Sequence, residues 1–172
     1  MIARLLALSS ATVMAGIAAI SVAAVAIAAT IQHALGYQPC AWCVLQRLIF
    51  LVIAASALIG VMWRSTTGQR LAGVLVASTA TSGMAAALWQ HFVAAASQSC
   101  DLSLADRIVA GLGLDAQLPW LFAAYASCAD AAAKLLGIYF EFYSLTLFTV
   151  IVVASTWVLA RSFNSTVSAA KR

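Results

Sequence analysis

PCAWCVLQRLIFLVIAASALIGVMWR, residues 39–64, is the stretch that decides how this chain folds. After Arg47 it runs through 16 residues, 48–63, with no ionisable side chain before Arg64 closes it. At about 1.5 Å per residue, a helix starting near Val44 just covers the roughly 30 Å of hydrocarbon in a bilayer. Two thiols, Cys40 and Cys43, stand where that helix begins, and Arg47 lies just inside the lipid boundary. A spanning segment that opens on a thiol pair and a cation asks for a chemical explanation as well as a structural one.

The rest of the chain repeats the spanning pattern. Of its 172 residues, 65% are hydrophobic and only 8% charged, and the mean hydropathy is +1.02. A soluble domain carries roughly 25% charged residues, so this chain cannot build a water-facing surface, and its medium is the lipid bilayer. The length suits one domain, and nucleic acid is not an expected partner. Leu5 to Ile31 gives 27 mostly apolar residues, Leu71 to Gln90 gives 20, and Phe142 to Ala160 gives 19 before Arg161. Residues 1–172 therefore read as a single all-α membrane domain, a four-transmembrane-helix bundle with spans at approximately 8–31, 44–63, 71–91 and 142–160. Loops at approximately 32–43 and 92–141 lie on one side. The polar turn Arg64 to Arg70 lies on the other.

Basic residues set the orientation. Four crossings place Arg4, Arg64, Arg70, Arg161, Lys171 and Arg172 together, six of the nine Lys and Arg. Arg47, Arg107 and Lys134 fall on the opposite side with all five acids, Asp101, Asp106, Asp115, Asp130 and Glu141. The positive-inside rule makes the first side cytoplasmic, with both termini inside. A cleaved signal peptide is the competing reading of the N-terminus. Its apolar region would be about 7–15 residues, however, and the run here is nearly twice that.

In the long outer loop, Leu102, Leu104, Ile108, Val109 and Leu112 alternate with Asp101, Ser103, Asp106 and Arg107. That pattern suits a short helix lying on the membrane surface, or else an irregular loop with scattered apolar residues. Ala, Gly and Ser within the spans would let helix backbones approach closely.

All four cysteines, Cys40, Cys43, Cys100 and Cys128, fall on the outward side. Four thiols allow three pairings. Cys40 with Cys43 is the local option, which leaves Cys100 with Cys128. As an inert staple, Cys100–Cys128 makes sense, because closing a loop of that size stabilises by about 3–4 kcal/mol on a chain-entropy argument. Cys40–Cys43 makes a poor staple, since a bridge over two residues removes little chain entropy. Zinc is disfavoured by the wide spacing of the later pair and by an oxidising outer compartment. Redox exchange fits best, Cys-x-x-Cys being a motif with activated thiols. Cys43 would lie in the first turn of the second span, where unpaired N–H groups favour an anion, and Arg47 follows one turn later on the same face. Snorkelling to headgroups is the plainer role for Arg47.

PCAWCVLQR resembles the Pro-Cys-x-x-Cys…Arg segment of the DsbB family, bacterial inner-membrane thiol oxidases linked to quinones. The resemblance covers nearly the whole chain: four spans, a Cys pair opening the second, a lone Cys after the third and another in SCADAAAKLLG (127–137). It implies a bundle with two periplasmic loops that re-oxidises a DsbA-like periplasmic thiol oxidase and passes electrons to ubiquinone or menaquinone in the membrane quinone pool. It further implies redox-active disulfides Cys40–Cys43 and Cys100–Cys128. Reduced partner would attack at Cys100, Cys128 would attack Cys40, and Cys43 would leave as a thiolate facing the quinone, with Arg47 holding a ring oxygen. A strongly oxidising partner at about −120 mV needs a still more oxidising sink, which a quinone supplies.

Gln90 and His91, at the outer end of the third span, are further candidates to contact the quinone. Neighbouring helical residues point about 100° apart, so one of the two should face the site. Trp42 and Trp89 also suit an aromatic belt. Glu141 reads first as an interfacial anchor and second as a proton relay. Two departures bear on the quinone contacts: LLGIYFEFYSL lacks the Pro that many members carry there, and GMAAALWQHF lacks the Arg-His pair of some relatives. The alternative function is a non-enzymatic four-span scaffold or transport subunit braced by loop disulfides. Vitamin K epoxide reductases also combine four helices with Cys-x-x-Cys, but their motif lies late in the bundle.

Overall fold

The computed structural model of the protein describes residues 9–96, 103–130, 134–135 and 137–170. Three long helices come first: α1 (Ser10–Leu35), α2 (Ala41–Met62) and α3 (Thr66–Trp89), the last running on through a π-helical turn at Gln90–Ala94. The outer segment then folds into α4 (Leu104–Gly111), α5 (Leu114–Gln117) and α6 (Pro119–Phe122). Two residues each of β1 (Lys134–Leu135) and β2 (Ile138–Tyr139) pair antiparallel, and α7 (Phe140–Ala170) completes the fold. α1, α2, α3 with its extension, and α7 are each long and apolar enough to cross a bilayer. The chain is an all-α multi-pass membrane protein, the short ribbon being the one strand pairing among the described residues.

The helix ends are set by local chemistry. Ser9 accepts from the Thr12 N–H to start α1, and Ser65 accepts from the Gly68 N–H to start α3, both at 3.1 Å. Side-chain oxygens of this kind satisfy donors that a helix cannot satisfy itself. α1 stops at Gly36, whose φ of 70° is left-handed backbone that glycine adopts without strain. Short links at 36–40 and 63–65 force α1, α2 and α3 into antiparallel neighbours. α7 packs along α3, and a shorter seam between α1 and α7 closes the bundle.

The helices outrun the apolar windows. α1 continues to Leu35 where hydropathy ends near Ile31, α2 begins at Ala41 where the window begins near Val44, and α7 begins at Phe140. Lipid contact ends where polar side chains begin, but backbone hydrogen bonding continues until a cap or glycine stops it. The surface helix expected around 102–112 is α4, with Leu102 outside the described residues. Ser103 and Asp106 form a reciprocal capping box at its start. Ala105 and Val109 are buried against α2, while Leu104, Ile108 and Leu112 are exposed.

Ile27, Val52, Leu58, Leu75, Val150 and Val153 face outward as a lipid-contacting belt, and Met14, Ile53, Val76, Phe148, Ile151 and Val158 fill the interior. Trp63 is exposed at the arginine-rich end, and Trp89 and Trp120 at the cysteine end, where amphipathic rings settle at a membrane interface. At the arginine end, Arg70 donates to the Ser162 side chain at 2.9 Å and to its carbonyl at 2.7 Å, joining α3 to α7.

Close approach of α3 to α7 depends on small residues, with Gly73, Ala80, Gly83 and Ala87 on the buried face. At Gly83 the Phe148 ring fills the space of a side chain: a Cβ there would lie 2.6 Å from the ring. Phe148 cannot retreat, because it stacks on Phe50 at 4.2 Å between centroids. Gly83→Ala is expected to destabilise the bundle by about 1–3 kcal/mol through overpacking. Gly16→Ala, where a Cβ meets nothing within 4 Å, should be neutral or slightly stabilising. Thermal unfolding in detergent compares the two directly.

Candidate functional site

The start of α2 gathers the sulfurs. Cys40 is the residue that caps α2, and its Sγ accepts from the Cys43 N–H at 3.4 Å. The Cys-x-x-Cys spacing is thus a capping spacing, in which the first thiol takes the place usually held by a serine or aspartate oxygen. One helical turn then brings Cys43 Sγ to 3.0 Å from Cys40 Sγ.

A third sulfur comes from the long outer loop. The Pro39 carbonyl accepts from the Tyr125 N–H at 2.9 Å and the Ala126 N–H at 3.3 Å, fastening that loop to the residue before Cys40. Two residues further on, Cys128 reaches the capping thiol, donating or accepting with Cys40 and taking a hydrogen bond from the Trp42 backbone. The order in space is Cys128, Cys40, Cys43, with Cys40 fully buried in the middle. Hydrogen bonding to Cys128, and then to Cys43, holds the Cys40 thiol far above its ordinary pKa, with burial adding to the effect. Cys128 moves the other way: the hydrogen bond it receives from Cys40 lowers its pKa despite partial burial. Cys100 lies outside the described residues.

Below the sulfurs, polar side chains of α2 meet those of its neighbours. Gln90, in the π-helical turn, donates to Cys43 Sγ at 3.2 Å and accepts from Gln46 at 2.7 Å. A π-turn is a common device for aiming one side chain at a site. Arg47 is only 6% exposed. Its Nη1 donates to Gln32 Oε1 of α1 at 2.6 Å and to the Leu121 carbonyl of α6 at 3.0 Å. The guanidinium is therefore bound within the protein rather than snorkelling. A buried cation needs such partners, and these join α1, α2 and the outer loop.

Between α1, α2 and α7 lies a cavity of about 200 Å³, walled by Ala28, Ile31, Phe50 and Leu147 and by the polar ends of Cys43, Gln46, Arg47, Gln90 and Glu141. Of the adjacent pair at the end of α3, Gln90 faces Cys43, while His91 turns to α7. His91 Nδ1 lies 2.8 Å from Glu141 Oε1. Glu141 is buried at 3% exposed, which does not fit a headgroup anchor. Its burial is visible only once α3 and α7 are packed, because the two residues are fifty positions apart. Trp42 is buried with its ring 6.3 Å from the exposed Trp89.

Gln32 and Gln46 did not stand out in the sequence. Gln46 carries a usable signal, lying one turn after Cys43 in an otherwise apolar span where amides are costly unless paired. Gln32, at the polar end of its helix, carries none.

The chain is also similar to known proteins. The family described as Disulfide bond formation protein DsbB matches residues 10–158. Disulfide bond formation protein B of Pseudomonas syringae pv. tomato is 35% identical over 118 residues, covering 68% of this chain and 70% of that protein. The protein of that name from Pasteurella multocida is 30% identical over 151 residues, 85% of this chain and 81% of its own length. No solved structure matches the chain.

The two outer thiols should differ in reactivity. In the reduced protein, Cys128 is expected to react with a water-soluble maleimide sooner than Cys40, and its rate should level off at a lower pH than that of an ordinary thiol. Cys40, buried and with a raised pKa, should be labelled last and show no plateau in the alkaline range. Mass spectrometry of timed samples across pH reads both.

Proposed function

The chain belongs to the DsbB family of disulfide bond formation proteins, and we propose that within it the chain is a quinone-dependent thiol oxidase. It re-oxidises a periplasmic DsbA-type dithiol protein and passes the electrons through Cys100/Cys128 and Cys40/Cys43 to a membrane quinone, ubiquinone or menaquinone. It sits in the bacterial inner membrane, with the arginine-rich end cytoplasmic and the cysteines periplasmic, as the distribution of basic residues favours.

One observation carries this reading: the sulfurs of Cys128, Cys40 and Cys43 lie in sequence, and the last of them lines a cavity between α1, α2 and α7. Exchange of disulfides proceeds by thiolate attack on sulfur, so each donor must touch the next acceptor. The partner's thiolate attacks Cys100 of a Cys100–Cys128 disulfide, forming a mixed disulfide and freeing Cys128. Cys128, whose hydrogen bonding favours the thiolate, attacks Cys40 of a Cys40–Cys43 disulfide. The Cys40–Cys128 bond forms, the Cys40–Cys43 bond breaks, and Cys43 departs with the electron pair. The Gln90 amide and the first turn of α2 receive that charge.

The residues around the cavity suit a quinone head group. Cavities of about 150 Å³ are known to hold a single benzene ring, so about 200 Å³ accommodates one substituted ring with little to spare. The walls are apolar, and a guanidinium, two amides and a carboxyl supply polar contacts at one end. A bound quinone supplies an acceptor for two electrons and two protons. Arg47 and Gln46 would orient its oxygens, and the short seam between α1 and α7 leaves a way out for an isoprenoid tail. A scaffold braced by disulfides has no use for a thiol placed in such a cavity.

The test is direct. In detergent with a quinone, addition of a reduced DsbA-like protein should bleach the quinone absorbance, and Cys43→Ser and Cys100→Ala should each abolish turnover. Full turnover in both variants would refute the assignment. On intact cells, a membrane-impermeant thiol reagent should label the cysteines only after reduction. Labelling from the cytoplasmic side would reverse the topology.

A further inference from the structure

Glu141 is the only acid buried among the described residues. One oxygen, Oε1, is engaged by His91 at 2.8 Å, and the other, Oε2, is fully buried with no hydrogen-bond partner. The same side chain lines the cavity that Cys43 and Arg47 line. An orphaned carboxyl oxygen in an apolar setting is costly, and folded proteins keep few of them without a use. His91 is one-quarter exposed, held among the rings of Phe92, Tyr139 and Phe142. A line of contacts runs from the part-exposed His91 ring to Glu141 and into the cavity.

We propose that Glu141 Oε2 delivers protons to the ring oxygens of a quinone bound in this cavity, and that His91 recharges Glu141 from the outer surface. The proposal rests on the quinone-oxidase reading above. Oxidising two thiols to a disulfide releases two electrons and two protons, and reducing a quinone to a quinol takes up two of each. The electrons reach the cavity through Cys43, which departs as an anion and brings no proton. Arg47 does not give up its proton, and the amides of Gln46 and Gln90 do not titrate. Tyr143, also in the wall, is a phenol, a weaker acid than a carboxyl. Glu141 is the wall residue suited to the task. Its Oε2–H passes a proton into the cavity, the resulting carboxylate takes one at Oε1 from His91 Nδ1 as His91 takes one at Nε2 from outer water, and rotation of the carboxyl and the imidazole returns protons to Oε2 and Nδ1 for the next pass. Two such passes complete one quinol, and the two protons lost by the thiols balance them.

Glu141→Gln keeps the shape and a hydrogen bond to His91 but cannot carry a proton. In single-turnover mixing with a reduced DsbA-like protein and ubiquinone, the variant should still bind quinone, read by tryptophan quenching, and still form the mixed disulfide with the partner. Quinol formation should slow by about 10²- to 10⁴-fold, the usual range for loss of a general acid. Glu141→Asp should recover part of that loss. Infrared difference spectra on quinone reduction should show a carboxyl band in the wild type that is missing from Glu141→Gln. Wild-type quinol formation in Glu141→Gln, or an infrared spectrum identical to that of the wild type, overturns the proposal and leaves the quinone reading standing. So does loss of quinone binding in both variants, which would make Glu141 part of the cavity's shape only. Wild-type protein that oxidises the dithiol yet never reduces quinone overturns both.

Discussion

A helix needs its first N–H groups satisfied, and at α2 a sulfur does that work. Because Cys40 Sγ caps the helix from the Cys43 N–H, the two thiols are locked one turn apart at the mouth of a membrane span. The Pro39 carbonyl holds the outer loop by two backbone hydrogen bonds, so the loop's own thiol, Cys128, comes to rest against the same sulfur. Position at the lipid boundary follows as well, since residues after the cap run straight into an apolar segment. The cluster of sulfurs and the cavity between the helices thereby share one residue, Cys43.

The outer third of the bundle also carries most of its buried polar groups. Arg47 with Gln32 and the Leu121 carbonyl, Gln46 with Gln90, and His91 with Glu141 each join different helices. In lipid an unpaired polar group is expensive, so such pairs fix the relative placement of α1, α2, α3 and α7 more strictly than interchangeable apolar contacts do. The other end is held by tight packing of Gly83 on Phe148 and by Arg70 on Ser162. Apolar close packing sets the frame, and the polar pairs tune the end where chemistry occurs.

Much of this was legible along the chain. Gaps between charges gave four spans, because no soluble fold explains 16 to 27 residues without an ion. Alternating polarity allowed α4 beside an irregular loop, and PCAWCVLQR gave the thiols and their nearby cation. The partners were not legible. Arg47 could equally have snorkelled, and only packing reveals that Gln32 and a carbonyl 74 positions away receive it. Glu141 read first as an interfacial anchor, whereas burial against α3 pairs it with His91. Periodicity reports which way a residue points from its own helix, not which residue of another helix it meets. The π-turn at Gln90–Ala94, which separates the directions of Gln90 and His91, has no sequence signature here.

The adjacency of Cys40 and Cys128 is the central claim, and disulfide trapping measures it. In a Cys43→Ala/Cys100→Ala variant only those two thiols remain, and mild oxidation of the purified, detergent-solubilised protein followed by non-reducing peptide mapping should recover an intramolecular Cys40–Cys128 bridge in most molecules. If both thiols instead stay free to alkylating reagents, or link only between molecules, the sulfurs do not meet and the relay described here is wrong.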